Sequence, residues 1–222
     1  MGRPIIGPIE RWLQMTFNSE QLSVYFIAGT QDIKRGTLPH ILEQALKAGI
    51  TCFQYREKGS GSLKGQAMKK MARTCQKLCR QYQVPFIIND DVALALELNA
   101  DGIHVGQDDQ AIQEVLALFP NKIVGLSCYD QAEVMNANAL PAISYYGIGP
   151  IYGTQSKQDA KAPIGPDKLQ ELTKLSTKPV VAIGGISLAN RQTLRKTGID
   201  GISVISALTQ AENLAAAVQA LR

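Results

Sequence analysis

The sequence predicts an α/β protein: a (β/α)8 TIM barrel over residues 22–222, preceded by a short N-terminal extension over 1–21. Three observations carry this expectation. Eight short apolar runs alternate with longer segments of helical pattern. The runs lack polar alternation, as strands buried on both faces of a parallel sheet require. Asp101-Gly102-Ile103-His104-Val105 also returns 99 positions later as Asp200-Gly201-Ile202-Ser203-Val204. That offset matches about four βα units of ~30 residues or slightly fewer, which sets strands four and eight across the barrel from each other. The competing open doubly wound sheet normally has fewer strands and a glycine-rich first turn. The first turn here, Gly29-Thr30-Gln31-Asp32, contains no GxGxxG.

In chain order, the extension is Pro- and Gly-rich at its start and amphipathic around 12–17, so it adds a helix outside the main fold. Residues 24–28 read as strand one, and 38–47 as a helix with Thr37 at its cap and Gly49 at its close. Strand two, 50–55, leads to a longer helix over 63–82. Strand three, 86–88, is followed by 92–98, whose Val, Leu, Leu, Leu at period two also permits a strand; its place between two β runs favours a helix. Then come strand 102–105 and helix 111–118, strand 123–126 and helix 132–139, strand 144–148 and helix 168–175. Strand 180–183 with helix 188–197 and strand 201–205 with helix 212–221 complete the alternation.

A chain of 222 residues with 45% hydrophobic composition can bury one full core without a second domain. The net charge of +4 is spread over helical segments, which suits an anionic small molecule better than nucleic acid. Cys52, Cys75, Cys79 and Cys128 form no CxxC pair, and a disulfide framework is not expected in a chain this size and this apolar. A thiolate metal site at Cys75 and Cys79 lacks further soft ligands, since the only histidines are His40 and His104. No run approaches the ~18 apolar residues of a membrane span, and the N-terminus has no signal-peptide core. A cytoplasmic protein is expected, and its oligomeric state stays open, a homo-oligomer included.

In a parallel barrel the loops after the strands meet at one mouth, so the strand ends are read together. Gln54, Arg56 and Lys58 follow one another at every second position, which in extended chain points all three one way. They supply the amide, guanidinium and ammonium donors that a diphosphate needs. Equally, Arg56 or Lys58 could pair with Glu57 or a rim carboxylate. Asp90 after strand three and Asp109 after strand four offer hard oxygens for magnesium, which takes one or two carboxylates, water and substrate phosphate. Asp91 and Asp108 adjoin them, Asp is also an ordinary helix cap, and local sequence does not choose among these.

Thr154, Ser156 and Lys157 lie in the longest connection, 152–166, a candidate lid. Gly184-Gly185 after strand seven and Ser206 after strand eight stand where barrels bind a phosphate, although Gly-Gly could be a tight turn only. His104 alternates with Ile103 and Val105 inside a strand, so its ring is expected to fill a barrel layer; His40 is structural or exposed. The chain has no GxSxG, no HExxH and no Ser-His-Asp order. Anion sites and a metal with little acid or base machinery point to transfer driven by a leaving group.

Those residues resemble the thiamine-phosphate synthases from about Val24 onward. The likeness rests on Gln54-x-Arg56-Glu57-Lys58, Ile88-Asn89-Asp90, Gly102-Ile103-His104-Val105-Gly106-Gln107-x-Asp109 and Gly125-x-Ser127. It continues through Gly149-Pro150-Ile151-Tyr152-x-Thr154-x-Ser156-Lys157, Ala182-Ile183-Gly184-Gly185-Ile186 and Ile205-Ser206-Ala207. The resemblance implies two phosphorylated small-molecule substrates, a pyrimidine diphosphate and a thiazole phosphate, joined with release of pyrophosphate. It implies that Gln54, Arg56, Lys58, Asn89, Ser127 and Lys157 hold the diphosphate, with Arg56, Lys58 and Lys157 stabilising the leaving group. It implies Mg2+ on Asp90 and Asp109, and the thiazole phosphate on Thr154, Ser156, Gly185, Ile205 and Ser206. Gly153 stands where the family often has Pro or Ala, and Ser156 where Thr is usual. Related thiazole tautomerases carry a His shortly after the fifth strand, where this chain has Ser127-Cys128-Tyr129. A third reading, a non-catalytic phosphate-binding barrel, would be expected to lose metal or lysine positions that are kept here.

Overall fold

The computed structural model describes residues 17–107, 111–154 and 161–222. Eight parallel strands close into a barrel in chain order: β1 (Val24–Ala28), β2 (Cys52–Tyr55), β3 (Phe86–Asn89), β4 (Gly102–Val105), β5 (Ile123–Cys128), β6 (Tyr145–Ile148), β7 (Val180–Ile183) and β8 (Gly201–Val204). β8 pairs back onto β1 with Tyr25 opposite Ser203, which leaves no exposed edge. Around the barrel run α1 (Leu38–Ala48), α2 (Gly65–Gln81), α3 (Val92–Glu97), α4 (Ile112–Leu118), α5 (Gln131–Asn138) and α6 (Gly165–Leu175). A short α7 (Ser206–Thr209) and α8 (Leu214–Leu221) follow β8.

The strands are apolar throughout because each separates two apolar layers. Along β1, Val24, Phe26 and Ala28 pack outward against the helices, while Tyr25 and Ile27 point into the lumen. Outward-facing Phe26, Phe53 and Phe86 form a row, with centroids 5.5 Å and 6.2 Å apart, and each fully buried ring contributes about 1.5–3 kcal/mol. Polar residues within the strands face the lumen: Gln54, His104 and Ser203 are buried there with Tyr25 and Tyr145.

The sequence echo has a physical basis. Asp101 Oδ2 accepts the N–H of Phe86 at 2.9 Å, and Asp200 Oδ2 accepts that of Val180 at 2.8 Å. Each aspartate thus pins the start of the preceding strand, on opposite sides of the barrel. The segment with period-two leucines is helical, its N-terminus capped by Asp91, whose Oδ1 accepts the N–H of Leu94 at 2.9 Å.

Two elements differ from expectation. Residues 188–197 give only a 3-10 segment, Arg191–Lys196, because Leu194 is its single buried residue and no apolar face holds a longer helix. Thr37 occupies the N-cap of α1 without a side-chain capping bond, whereas Gly49 closes that helix in the left-handed conformation at φ 97°. Of the extension, residues 1–16 and the expected helix around 12–17 lie outside the described residues, Phe17 apart. Phe17 stacks on Tyr145 at 5.9 Å, and Asn18 caps a 3-10 turn, Ser19–Leu22, whose Leu22 is fully buried at the foot of the lumen. Among the described residues no helix is long and apolar enough to cross a membrane.

Candidate active site

A cavity of about 280 Å³ opens where the strands end, lined from β2 by Arg56 and Lys58, from β3 by Asn89 and Asp90, and from β4 by His104, Gly106 and Gln107. β5 contributes Ser127 and Tyr129, the loop after β6 Thr154, β7 Gly184 and Gly185, and β8 Ser203, Ile205 and Ser206. The barrel therefore gathers distant strand ends into one site.

On the cationic side, Arg56 is only 5% exposed yet lines the cavity. Its backbone is fixed from both directions: its N–H donates to Ala28 O at 3.1 Å and its carbonyl accepts Gln31 Nε2 at 2.7 Å. The adjacent carboxylate does not neutralise it. Glu57 Oε1 accepts the N–H and hydroxyl of Thr30 at 2.8 and 2.7 Å, and Oε2 accepts the N–H of Leu63 at 2.8 Å. Glu57 thus staples the loops after β1 and β2 and leaves the guanidinium to the cavity. Nearby Asp32 has its carboxyl pushed up by burial, against the opposing pull of the Gly29 N–H and the Arg56 charge.

Lys58 Nζ lies 3.1 Å from Asp90 Oδ2 across the mouth. Asp90 has φ 59°, the left-handed conformation that Asp tolerates better than most residues, and its N–H donates to His104 O at 2.9 Å. This turn aims Asp90 at the cavity and leaves Asp91 as the helix cap, a division that local sequence left open. Asp108 and Asp109 lie outside the described residues, and among those described no three His, Cys, Asp or Glu side chains gather as a cation cage. A hard carboxylate beside the Arg56 and Lys58 cations still fits magnesium, which needs few protein ligands when substrate phosphate supplies others.

The opposite wall is built for close backbone approach. Gly185 has φ 61°, and a Cβ there would lie 2.4 Å from Gly153 O, so this turn requires glycine. Asn190 Nδ2 donates to Gly185 O at 2.9 Å while its Oδ1 accepts the N–H of Ser187 at 2.8 Å, tying the turn together. Thr154, Ile205 and Ser206 line the same side, with exposed Ser206 at the first position of α7. Ser156 and Lys157, expected here from the sequence, lie outside the described residues.

Gln54 is not among the lining residues: 2% exposed, it lies deeper in the lumen and donates to Tyr25 Oη at 3.0 Å. His104, 9% exposed, has both ring nitrogens engaged, Nδ1 with Tyr145 Oη at 3.0 Å and Nε2 with Ser127 Oγ at 2.9 Å. At the rim, Lys161 pairs with Glu133 at 3.0 Å and sits 4.6 Å over the Tyr129 ring. Sequence reasoning missed Tyr25, Tyr145, Asn190 and Lys161. The tyrosines read as apolar strand residues, Asn190 fell within the expected helix over 188–197, and Lys161 carried no signal of its own in the connection over 152–166.

Comparison with known proteins agrees with the barrel fold. The family model described as thiamine monophosphate synthase matches residues 24–208, the whole barrel from β1 into α7. The chain belongs to the thiamine monophosphate synthase family. It is 55% identical over 205 residues to the thiamine-phosphate synthase of Listeria monocytogenes serovar 1/2a, covering 91% of this chain and 96% of that one. It is 52% identical over 204 residues to the thiamine-phosphate synthase of Latilactobacillus sakei, covering 91% of each chain. Among solved structures it resembles the thiamine phosphate pyrophosphorylase of Pyrococcus furiosus, with a TM-score of 0.81 at 32% identity over 92% of this chain and 95% of that one.

Proposed function

We propose that this enzyme catalyses the thiamine-phosphate synthase reaction, joining 4-amino-2-methyl-5-hydroxymethylpyrimidine diphosphate to 4-methyl-5-hydroxyethylthiazole phosphate with release of pyrophosphate. The observation that carries this is one cavity with Arg56, Lys58 and Asp90 on one wall and the Gly184-Gly185 turn with Ser206 on the other. Arg56, Lys58, Asn89, Ser127 and Lys157 take the diphosphate, and Gln54 supports that side from below. Thr154, Ser156, Gly185, Ile205 and Ser206 take the thiazole phosphate. Asp90 and Asp109 hold Mg2+, which when bound supplies positive charge to the diphosphate oxygens.

The bond from the pyrimidine methylene carbon to the diphosphate oxygen breaks with its electron pair going to the leaving group. Arg56, Lys58 and Lys157 stabilise that developing charge, the electrostatic route to a low barrier. The methylene cation is borne by the electron-rich aminopyrimidine, and the thiazole nitrogen captures it with its lone pair. No general base is needed, which accords with a His104 whose ring nitrogens are both occupied inside the barrel. Holding both reactants in contact supplies the orientational share of the rate.

Incubating purified protein with both phosphorylated substrates and Mg2+ tests the reading. Pyrophosphate release that requires both substrates supports it, and its absence removes it. A tautomerase reading lacks its proton-transfer histidine, because Tyr129 follows β5 and its backbone N–H is bound to Glu133 at 2.6 Å.

A further inference from the structure

Below the cavity runs a continuous hydrogen-bonded chain through the lumen. Gln54 Nε2 donates to Tyr25 Oη at 3.0 Å, Tyr25 Oη meets Tyr145 Oη at 2.6 Å, Tyr145 Oη meets His104 Nδ1 at 3.0 Å, and His104 Nε2 meets Ser127 Oγ at 2.9 Å. The members come from β2, β1, β6, β4 and β5, so only barrel closure brings them together. The His104 and Tyr145 rings stack at 5.5 Å, and Gly125 makes room for them: a Cβ there would lie 2.3 Å from Tyr145 Cζ and 2.4 Å from His104 Nδ1.

The chain has a polarity. A phenol carries one proton. With Tyr25 accepting from Gln54, the arrangement of these bonds in which every hydroxyl proton meets an acceptor has Tyr25 donating to Tyr145 and Tyr145 donating to His104 Nδ1. A neutral imidazole then carries its single proton on Nε2 and donates it to Ser127 Oγ. Burial pushes both phenols well above their ordinary range, so neither tyrosine gives up its proton to solvent. Ser127 lines the cavity and, having accepted from the imidazole, keeps its hydroxyl proton to donate.

We infer that Tyr25 and Tyr145 are positioning residues that hold His104 as the neutral Nε2–H tautomer, so that Ser127 directs its hydroxyl proton at an anionic oxygen of the bound substrate. The identity of that anion as a diphosphate rests on the proposed reaction; the tautomer does not.

Nitrogen-15 spectra of histidine-labelled protein resolve only two residues, His40 and His104, and a His40→Gln variant assigns them. The expected result is a proton on Nε2 of His104 and a bare Nδ1. Tyr145→Phe, which removes the Nδ1 donor, is expected to populate the Nδ1–H form. Tyr25→Phe, one link further away, gives a smaller shift and keeps the test available should Tyr145→Phe fold poorly. In coupling assays Tyr145→Phe and Ser127→Ala should each lower kcat/KM for the diphosphate substrate about tenfold, the worth of one buried hydrogen bond. The double variant should be no worse than Ser127→Ala alone, because Tyr145 acts through Ser127. Additive losses, or a wild-type His104 protonated on Nδ1 or on both nitrogens, would overturn the inference. If wild-type protein releases no pyrophosphate, the reaction is wrong, and the spectra with the affinity of the same variants for inorganic pyrophosphate still decide the relay.

Discussion

Replacing Asp90 by Asn separates a structural from a functional role with one atom. Asn tolerates φ 59° as Asp does, so the turn after β3 keeps its shape and only the charge is lost. The structural cost is small. The ion pair to Lys58 spans 3.1 Å, but the partners are 47% and 27% exposed, and such a pair contributes about 0–1 kcal/mol once solvent screening is counted. If Asp90 is the magnesium carboxylate of the proposed reaction, its loss is different in scale. Removing one transition-state electrostatic partner typically costs about 10²-fold in kcat, or roughly 3 kcal/mol. Urea unfolding should therefore show a midpoint near wild type, while pyrophosphate release at saturating substrate falls at least about 10²-fold and needs more Mg2+ to recover. An Asp90→Asn protein with unchanged kcat and Mg2+ dependence would refute the assignment, and one that unfolds several kcal/mol more easily would make Asp90 a structural residue.

Gly185→Ala places a Cβ 2.4 Å from Gly153 O in a left-handed turn, so stability should drop by at least about 1–2 kcal/mol and the KM for the thiazole phosphate should rise; an unchanged KM argues against that wall as its binding site. All four cysteines are buried, and burial pushes the Cys75 and Cys128 thiols up to about 12, so a thiol reagent at about pH 8 should label none in native protein and all after denaturation. Asp101 carries a carboxyl raised by burial above its ordinary 3.8, partly offset by the Phe86 N–H, so the folded state holds its proton more tightly than the unfolded chain. Compared with Asp101→Asn, wild type should lose stability as pH rises from that ordinary value through the raised one and stay level above it; a wild type that gains stability relative to the variant over that rise would contradict this.

Much of the site was legible because barrel geometry turns sequence order into a rule: a residue just past the end of a strand faces the mouth. Arg56, Lys58, Gly185 and Ser206 were found that way, Ser127 came from the family likeness, and each lines the cavity. Gln54 obeys the same rule of alternation but sits too deep, since position along the strand sets depth in the lumen and periodicity gives only direction. The choice between Asp90 and Asp91 needed the left-handed turn at Asp90, which no spacing reveals. Tyr25 and Tyr145 went unnoticed for a related cause: a tyrosine in an apolar run looks like packing until its hydroxyl acquires a partner.

The order of apolar runs and polar strand ends determined by itself that eight parallel strands would close with their polar ends at one mouth, because unbroken apolar strands are stable only between two apolar layers. It also carried the family likeness. Tertiary structure alone decided that Glu57 binds Thr30 and Leu63 and leaves Arg56 to the cavity, that Asn190 secures the Gly185 turn, and that five strands thread a polar chain to Ser127. Those outcomes depend on distances between side chains far apart in the chain, where an ångström separates a hydrogen bond from none.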